Sequence, residues 1–223
     1  MDYRDSVDLS GSHTQRASGG GGGGRMALGG GVGGLVLMLL VVFVGPRLGI
    51  NVSDLFGSGS GQDTRPAAQG SDLEHCKQKG VNVNTNRECR WLLYEKVIQD
   101  YWSKTTPNYE YATVKLFSGT ISTACGVGQT EMGPFYCSGD STVYIDDSYV
   151  GQLLKQLGAS GGDAAELYIV AHGFGHHVQN LDGTMRKVRR GTGADSSQVR
   201  LELQADCYAG VVFNQVMKDS NSP

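Results

Sequence analysis

Two histidines four residues apart, His172 and His176, constrain this chain more than any other feature. On a helix, such a pair lies one turn apart on the same face. That is the geometry a tetrahedral zinc takes from its first two protein ligands. The stretch around them, residues 163–180 (DAAELYIVAHGFGHHVQN), reads as a helix on separate grounds. Asp163 followed three residues later by Glu166 has the form of a helix start with a capping-box partner. Leu167, Val170, Ala171, Phe174 and Val178 recur at three- and four-residue spacing and make one apolar stripe. Gly173 and Gly175 each cost a helix about 1 kcal/mol relative to Ala. Two glycines in one turn therefore point to close packing or to a lost side chain. The bland alternative is a buried helix whose histidines belong to the core or the surface.

A second stretch, Glu202-Leu203-Gln204-Ala205-Asp206, strengthens the metal reading. A helix starting near Ser196-Ser197 would carry Val199, Leu201, Leu203, Ala205, Ala209 and Val212, and would place Glu202 and Asp206 on one face. Alone, such a pair is usually a solvated helix face. Here it sits in mainly apolar company, where a bare carboxylate is costly and calls for a metal or a cation. Glu202 would turn a two-histidine site into a three-ligand site with an open position. Asp206 could accept the free ring N–H of a liganding histidine and hold its tautomer. In the peptidase form of the pair, H-E-x-x-H, the Glu activates the attacking water. Gly173 occupies that position. The ligands are present and the general base is absent. Glu166 is two turns earlier and too far along the axis to replace it, and His177 points to a neighbouring face.

The remaining chain divides by composition. Glycine reaches 34 residues and is concentrated near the N-terminus. Residues 1–25 are polar and Gly-rich and are expected to be disordered. Residues 26–45 form 20 positions without a charge, bounded by Arg25 and Arg47. At 1.5 Å per residue they would span about 30 Å, so a single-pass transmembrane helix is expected there. A cleaved signal peptide is the rival, but the polar tract before the run is long for one. Lysine and arginine counts on the two sides are nearly balanced and leave orientation open. Residues 46–70 read as a flexible linker, and structure should begin near Ser71-Asp72-Leu73.

All five cysteines, Cys76, Cys89, Cys125, Cys137 and Cys207, follow the apolar run. Two local disulfides, Cys76 with Cys89 and Cys125 with Cys137, would suit an extracytoplasmic domain and leave Cys207 unpaired. Five reduced, buried thiols are the alternative. No spacing is C-x-x-C, which argues against a cysteine zinc site. Residues 86–102 show a helical apolar period, with Trp91, Leu92, Tyr94, Val97, Ile98, Tyr101 and Trp102, and carry no evident chemistry. Thr113–Ser122 and Ser141–Asp146 read as two paired strands, with a short helix around Tyr149–Leu157. The second strand, if it lay at a sheet edge, could pair with an extended peptide. Residues 181–197 read as a solvated loop. A net charge of −3 provides no electrostatic footprint for nucleic acid.

Several blocks, taken together, resemble a known family. They are Thr123-Ala124-Cys125-Gly126, Gly133-Pro134-Phe135-Tyr136-Cys137, Val143-Tyr144-Ile145-Asp146, Ala171-His172 with Gly175-His176-His177-Val178-Gln179, and the run from Arg200 to Gly210. Their order and density are similar to those of the bacterial neutral zinc metallopeptidase family, over most of 71–223. The resemblance implies an α+β, gluzincin-like zinc peptidase domain, helix-rich with a small sheet, behind a single-pass N-terminal membrane helix. It also implies Zn2+ held by His172, His176 and Glu202, with Asp206 behind them, and a peptide or protein substrate. Two departures stand out. Gly173 replaces the Glu of the family's H-E-x-G-H-H motif. The family also continues with further helices, so the domain at 71–223 is expected to be C-terminally incomplete.

Two functions compete on this sequence. One is a membrane-anchored zinc metallopeptidase impaired by Gly173. The other is a non-catalytic, zinc-bound domain that binds peptides or a partner protein. A degraded product without a stable fold is the bland third.

Overall fold

The computed structural model describes Tyr3 and residues 7–17, 73–156, 162–189, 191 and 193–220. The transmembrane helix expected over 26–45 and the linker expected over 46–70 lie outside the described residues. Among the described residues, no helix is long and apolar enough to cross a membrane.

The order of elements is β1 (Thr14–Arg16), α1 (Arg87–Thr105), β2 (Thr113–Phe117), β3 (Thr120–Thr123), β4 (Gly126–Gln129), β5 (Phe135–Cys137), β6 (Thr142–Asp146), α2 (Asp147–Gln156), α3 (Asp163–Leu181) and α4 (Ser197–Ser220). Short 3-10 turns precede α1, β5 and α4. The architecture is α+β. Four strands form one sheet in the order β1-β2-β6-β5, and β3 and β4 form a separate hairpin.

Helix α1 starts where Asn86, in extended conformation, accepts a hydrogen bond from the Cys89 N–H at 3.3 Å. This satisfies one of the amides that a helix start leaves unpaired. The helix buries Trp91, Leu92, Tyr94, Ile98 and Trp102. They share one core with Val114 and Leu116 of β2, Val143 and Ile145 of β6, and Leu167, Val170, Ala171 and Phe174 of α3. Each large apolar side chain fully buried there stabilises the fold by about 1.5–3 kcal/mol relative to leaving it exposed. Disulfides join Cys76 to Cys89 and Cys125 to Cys137, and Cys207 is free and exposed. Closing loops of 13 and 12 residues restricts the unfolded chain by on the order of 3 kcal/mol each in the loop-entropy account.

The structure departs from the sequence expectations at five places. First, the head expected to be disordered over 1–25 is ordered over 7–17. It adds β1 to the sheet and buries Leu9, because three backbone pairs and an apolar anchor are available to it on the folded domain. Second, the strand expected over 113–122 is two strands. Gly119, at φ 79°, turns the chain in a conformation that glycine enters without steric cost. Third, the strand expected to form a sheet edge, β6, is interior, paired in parallel with β2 and antiparallel with β5. Its backbone groups are thereby committed on both sides, and β1 and β5 are the edges. Fourth, α3 is capped by Gly162, which has no side chain to bond, so that Asp163 is the first helical residue and not the cap, and Glu166 bonds Arg87 of α1. Fifth, α2 begins two residues earlier than expected, where Asp146 accepts from the N–H groups of Ser148 and Tyr149 at 3.1 Å each.

Candidate metal centre

Helices α3 and α4 pack against each other around Gly175. A Cβ there would lie 2.9 Å from the Ala205 carbonyl oxygen and 3.0 Å from the Ala205 Cα. Backbone against backbone leaves no space for a methyl group, so this glycine allows α4 to approach. The approach brings Glu202 over His172 and His176. All three are buried, at 3%, 5% and 4% exposure.

The donor atoms converge. His172 Nε2 is 3.0 Å from His176 Nε2. Glu202 Oε2 is 3.3 Å from the first and 3.2 Å from the second. A tetrahedral ion with bonds of about 2.0–2.1 Å separates its ligand atoms by about 3.3 Å, so the triangle has the dimensions of a three-ligand site with a fourth position open.

Hydrogen bonding sets the same demand. His172 Nδ1 lies 2.8 Å from Asp206 Oδ1, to which it donates. His176 Nδ1 lies 2.9 Å from Gln179 Oε1. The Gln179 amide is oriented by its own donations to the Leu201 carbonyl at 2.7 Å and to Gln204 Oε1 at 2.9 Å. With both Nδ1 atoms acting as donors, each neutral ring presents a lone pair at Nε2. Neither Glu202 oxygen has a hydrogen-bond partner. Three lone-pair-bearing groups thus face one another in a buried cluster, an arrangement that a metal ion, or in its absence a proton, would relieve. The residues present fit a zinc ion.

Without a metal the cluster responds by shifting protons. Burial pushes the His172 pKa down, but Asp206 and Glu202 outweigh it and hold it above the ordinary value. Burial pushes Glu202 up, and the two histidines more than reverse that, leaving it lowered. Asp206 is lowered in the same way, by His172 and by Tyr168, whose hydroxyl donates to Asp206 Oδ1 at 2.6 Å.

Position 173 is different. Gly173 lies between the two ligand histidines on α3, and a Cβ there would be 3.0 Å from Val143 Cγ1 of β6. Its neighbour is a side chain, where that of Gly175 is backbone. The chain thus has one glycine demanded by helix packing and one at the position where the family resemblance expects a carboxylate.

The structure brings together His172, His176, Glu202 and Asp206 as their spacing suggested. His177 is excluded from the chemistry. Its Nε2–H donates to the Glu110 carbonyl at 2.7 Å, its Nδ1 accepts from the Tyr136 hydroxyl at 2.9 Å, and burial lowers its pKa. Glu166 is equally remote, held by Arg87 Nε at 2.7 Å and by the Tyr94 hydroxyl at 3.3 Å. Sequence reasoning missed the roles of Gln179 and Tyr168. Their positions, three after His176 and four before His172, place them on the ligand face and could have revealed them. A second group of donor atoms, His75 Nε2 with the sulfurs of Cys76 and Cys89, has both sulfurs in a disulfide and offers no thiolate.

Two histidines from one helix and a carboxylate from the next, each histidine braced through its other nitrogen, define the class: a candidate mononuclear zinc centre with one open position. The sequence profile of the family described as "Putative neutral zinc metallopeptidase" matches residues 1–222, and the chain belongs to that family. Among its relatives, an uncharacterized protein of Mycobacterium tuberculosis is 45% identical over 151 residues, covering 67% of this chain and 51% of its own length. The uncharacterized protein YpfJ of Escherichia coli is 39% identical over 182 residues, covering 78% of this chain and 60% of its own. The chain therefore spans between about half and three fifths of the curated relatives it matches. No solved structure matches it.

Proposed function

We propose that this chain is a zinc-binding domain of metallopeptidase type, gluzincin-like in its ligand set, in which peptide hydrolysis is impaired. The observation that carries the zinc assignment is the Glu202 carboxylate, buried at 3% exposure without a hydrogen-bond partner and 3.2–3.3 Å from two histidine nitrogens. His172, His176 and Glu202 would hold the metal. Asp206 and Gln179 would fix the two rings, and Tyr168 would fix Asp206. A zinc ion in such a site supplies Lewis acidity toward a peptide carbonyl and activates water.

Among the described residues, Gly173, His177 and Glu166 do not supply a proton acceptor beside the open position. Gly173 has no side chain, His177 is committed to Tyr136 and Glu110, and Glu166 is bound to arginine. Losing a positioned general base lowers the rate by about 10²–10⁴-fold. The alternative is a non-catalytic domain that binds a peptide or partner protein. The placement of Val143, 3.0 Å from where the Gly173 Cβ would be, favours it, since the space for a base's first carbon is tight. The edge strand β5 is the backbone available for an extended peptide. Two disulfides support an extracytoplasmic location, and the charge-free run at 26–45 supports contact with a lipid bilayer.

The test has two stages. Purified chain should contain about one zinc by elemental analysis, and His176→Ala should contain none; a wild-type chain without zinc refutes the assignment. Gly173→Glu should then raise hydrolysis of a casein-type substrate by about 10²-fold or more. Measurable hydrolysis by the wild-type chain equal to that of Gly173→Glu would refute impairment, and no hydrolysis by either would favour the non-catalytic alternative.

A further inference from the structure

The disulfide between Cys76 and Cys89 is one of two chemical states open to those sulfurs. The 3-10 turn Leu73–Lys77 brings Cys76 to the start of α1, with Leu73 and Cys76 both buried in the main core. Cys89 lies in the first turn of α1, is buried in the same core, and has its N–H held by Asn86 Oδ1. Packing and capping therefore hold both sulfurs near each other, in addition to the bond between them. They stand 13 positions apart in sequence, so no short cysteine motif announces the pair.

His75 completes the group. Its Nε2 lies 3.3 Å from the Cys76 sulfur and 3.8 Å from the Cys89 sulfur. A tetrahedral zinc, with bonds of about 2.0–2.1 Å to nitrogen and about 2.3 Å to sulfur, holds N and S about 3.5 Å apart. The imidazole is thus already at ligand separation from both sulfurs, and opening the S–S bond frees the sulfurs to take theirs. A neutral sulfur is a weak acceptor and gives the ring little. Thiolates would use the same placement fully, and the N-terminal end of α1 favours the thiolate of Cys89. Glu88 Oε2 is 3.6 Å from the same nitrogen, but its carboxylate also bonds Arg16. The group therefore offers three ligands, with the fourth place reached past His75, whose side chain is 43% exposed.

We propose that His75, Cys76 and Cys89 form a second metal site, for zinc or a cation of similar softness, when the two cysteines are reduced. Metal and disulfide are then alternative occupants of one place in the fold. Thiolate and imidazole donors favour such ions over magnesium and calcium. An external dithiol supplies the electrons: it is oxidised to its own disulfide, and the Cys76–Cys89 bond takes up two electrons and two protons to become two thiols. Metal binding then releases those two protons to solvent. In the reverse direction an external disulfide accepts the two electrons, the Cys76–Cys89 bond re-forms, and the ion leaves. The site is separate from the centre between α3 and α4 and does not depend on zinc binding there.

Cobalt(II) titration of the full chain carrying His176→Ala and Cys207→Ser tests it, since the first change disables the α3–α4 centre and the second removes the free thiol. The oxidised protein should show no thiolate-to-cobalt absorption in the near ultraviolet. After reduction with a phosphine the band should appear and saturate at about one cobalt per chain, with the visible bands of a tetrahedral ion, and zinc should displace it. In the reduced protein, Cys125→Ser should leave the band unchanged and Cys76→Ser should remove it. His75→Ala, which keeps both sulfurs, should shift the titration to higher cobalt, and it decides the matter if Cys76→Ser does not fold. Absence of the band after reduction, its survival in Cys76→Ser, or equal titrations of His75→Ala and its parent would each overturn the site.

Discussion

Glu166 and Glu202 are buried to nearly the same degree, 2% and 3% exposed, on neighbouring helices. Their surroundings are opposite. Glu166 meets Arg87 at 2.7 Å, Arg90 at 3.7 Å and the Tyr94 hydroxyl. Its charge is matched by the protein, and it joins α1 to α3. Glu202 meets two histidine nitrogens whose protons are turned away, and neither of its oxygens is satisfied. Burial alone therefore does not distinguish a structural carboxylate from a ligand. The distinction lies in whether the protein supplies the counter-charge or leaves it to an ion.

The sharpest way to break this comparison is to neutralise each carboxylate. Glu202→Gln should reduce zinc content from about one per chain to background in elemental analysis, while Glu166→Gln should keep zinc in whatever protein folds. The costs in stability should be reversed in kind. Glu166→Gln leaves arginines without their buried partner and should lower unfolding free energy by about 3–5 kcal/mol, read by urea denaturation with or without zinc. Wild type should gain about 2.7 kcal/mol from free zinc at a hundred times its Kd, and Glu202→Gln should lose that gain. A Glu166→Gln chain with unchanged stability would show that the two carboxylates are not different in the sense argued.

A smaller effect should come from the helix contact that brings Glu202 to the histidines. Gly175→Ala places a methyl 2.9 Å from a backbone oxygen, and overpacking of this kind costs about 1–3 kcal/mol. Because the strain lies between α3 and α4, zinc affinity should fall with it. Zinc competition titration and thermal melting of the same sample should move together. Asp206→Asn should reduce zinc affinity by about 10–100-fold without unfolding the chain, since Asp206 is partly exposed and bonds only the His172 ring and the Tyr168 hydroxyl.

The smallest effect is the pH dependence of the metal-free protein. His172 has a raised pKa, so its contribution is fully present below its ordinary value of 6.5 and is lost as pH rises through the raised one. Glu202 and Asp206 are lowered, so their contributions are present above 4.5 and 3.8 and are lost as pH falls through the lowered values. Stability from this cluster should be greatest between about 4.5 and 6.5. Zinc affinity should instead rise with pH above that window, as His172 gives up its proton. Thermal midpoints in chelator and zinc titrations across pH check both slopes.

Much of the candidate site was legible in the linear chain, because a helix converts spacing directly into a shared face. His172 with His176 and Glu202 with Asp206 are pairs of this kind, and Gly173 is visible as an absence within a motif. Gln179 and Tyr168 were legible in principle by the same rule. Glu166 was misassigned as a capping residue because a helix start offers a local partner and the stronger partner, Arg87, is 79 residues away.

By itself, then, the sequence determined what each helix could present: two imidazoles on one face, two carboxylates on another, and no base at 173. Those are local consequences of the 3.6-residue period, which needs no knowledge of the rest of the fold. Only the tertiary structure decided that Gly175 lets the two helices touch, that β6 is interior, and that residues 7–17 complete the sheet. Each of these depends on atoms far apart in the chain meeting at van der Waals or hydrogen-bond distance. No local pattern encodes such meetings, since the same Gly-rich, polar composition that reads as a loose head also permits a short strand once a partner edge is there to receive it.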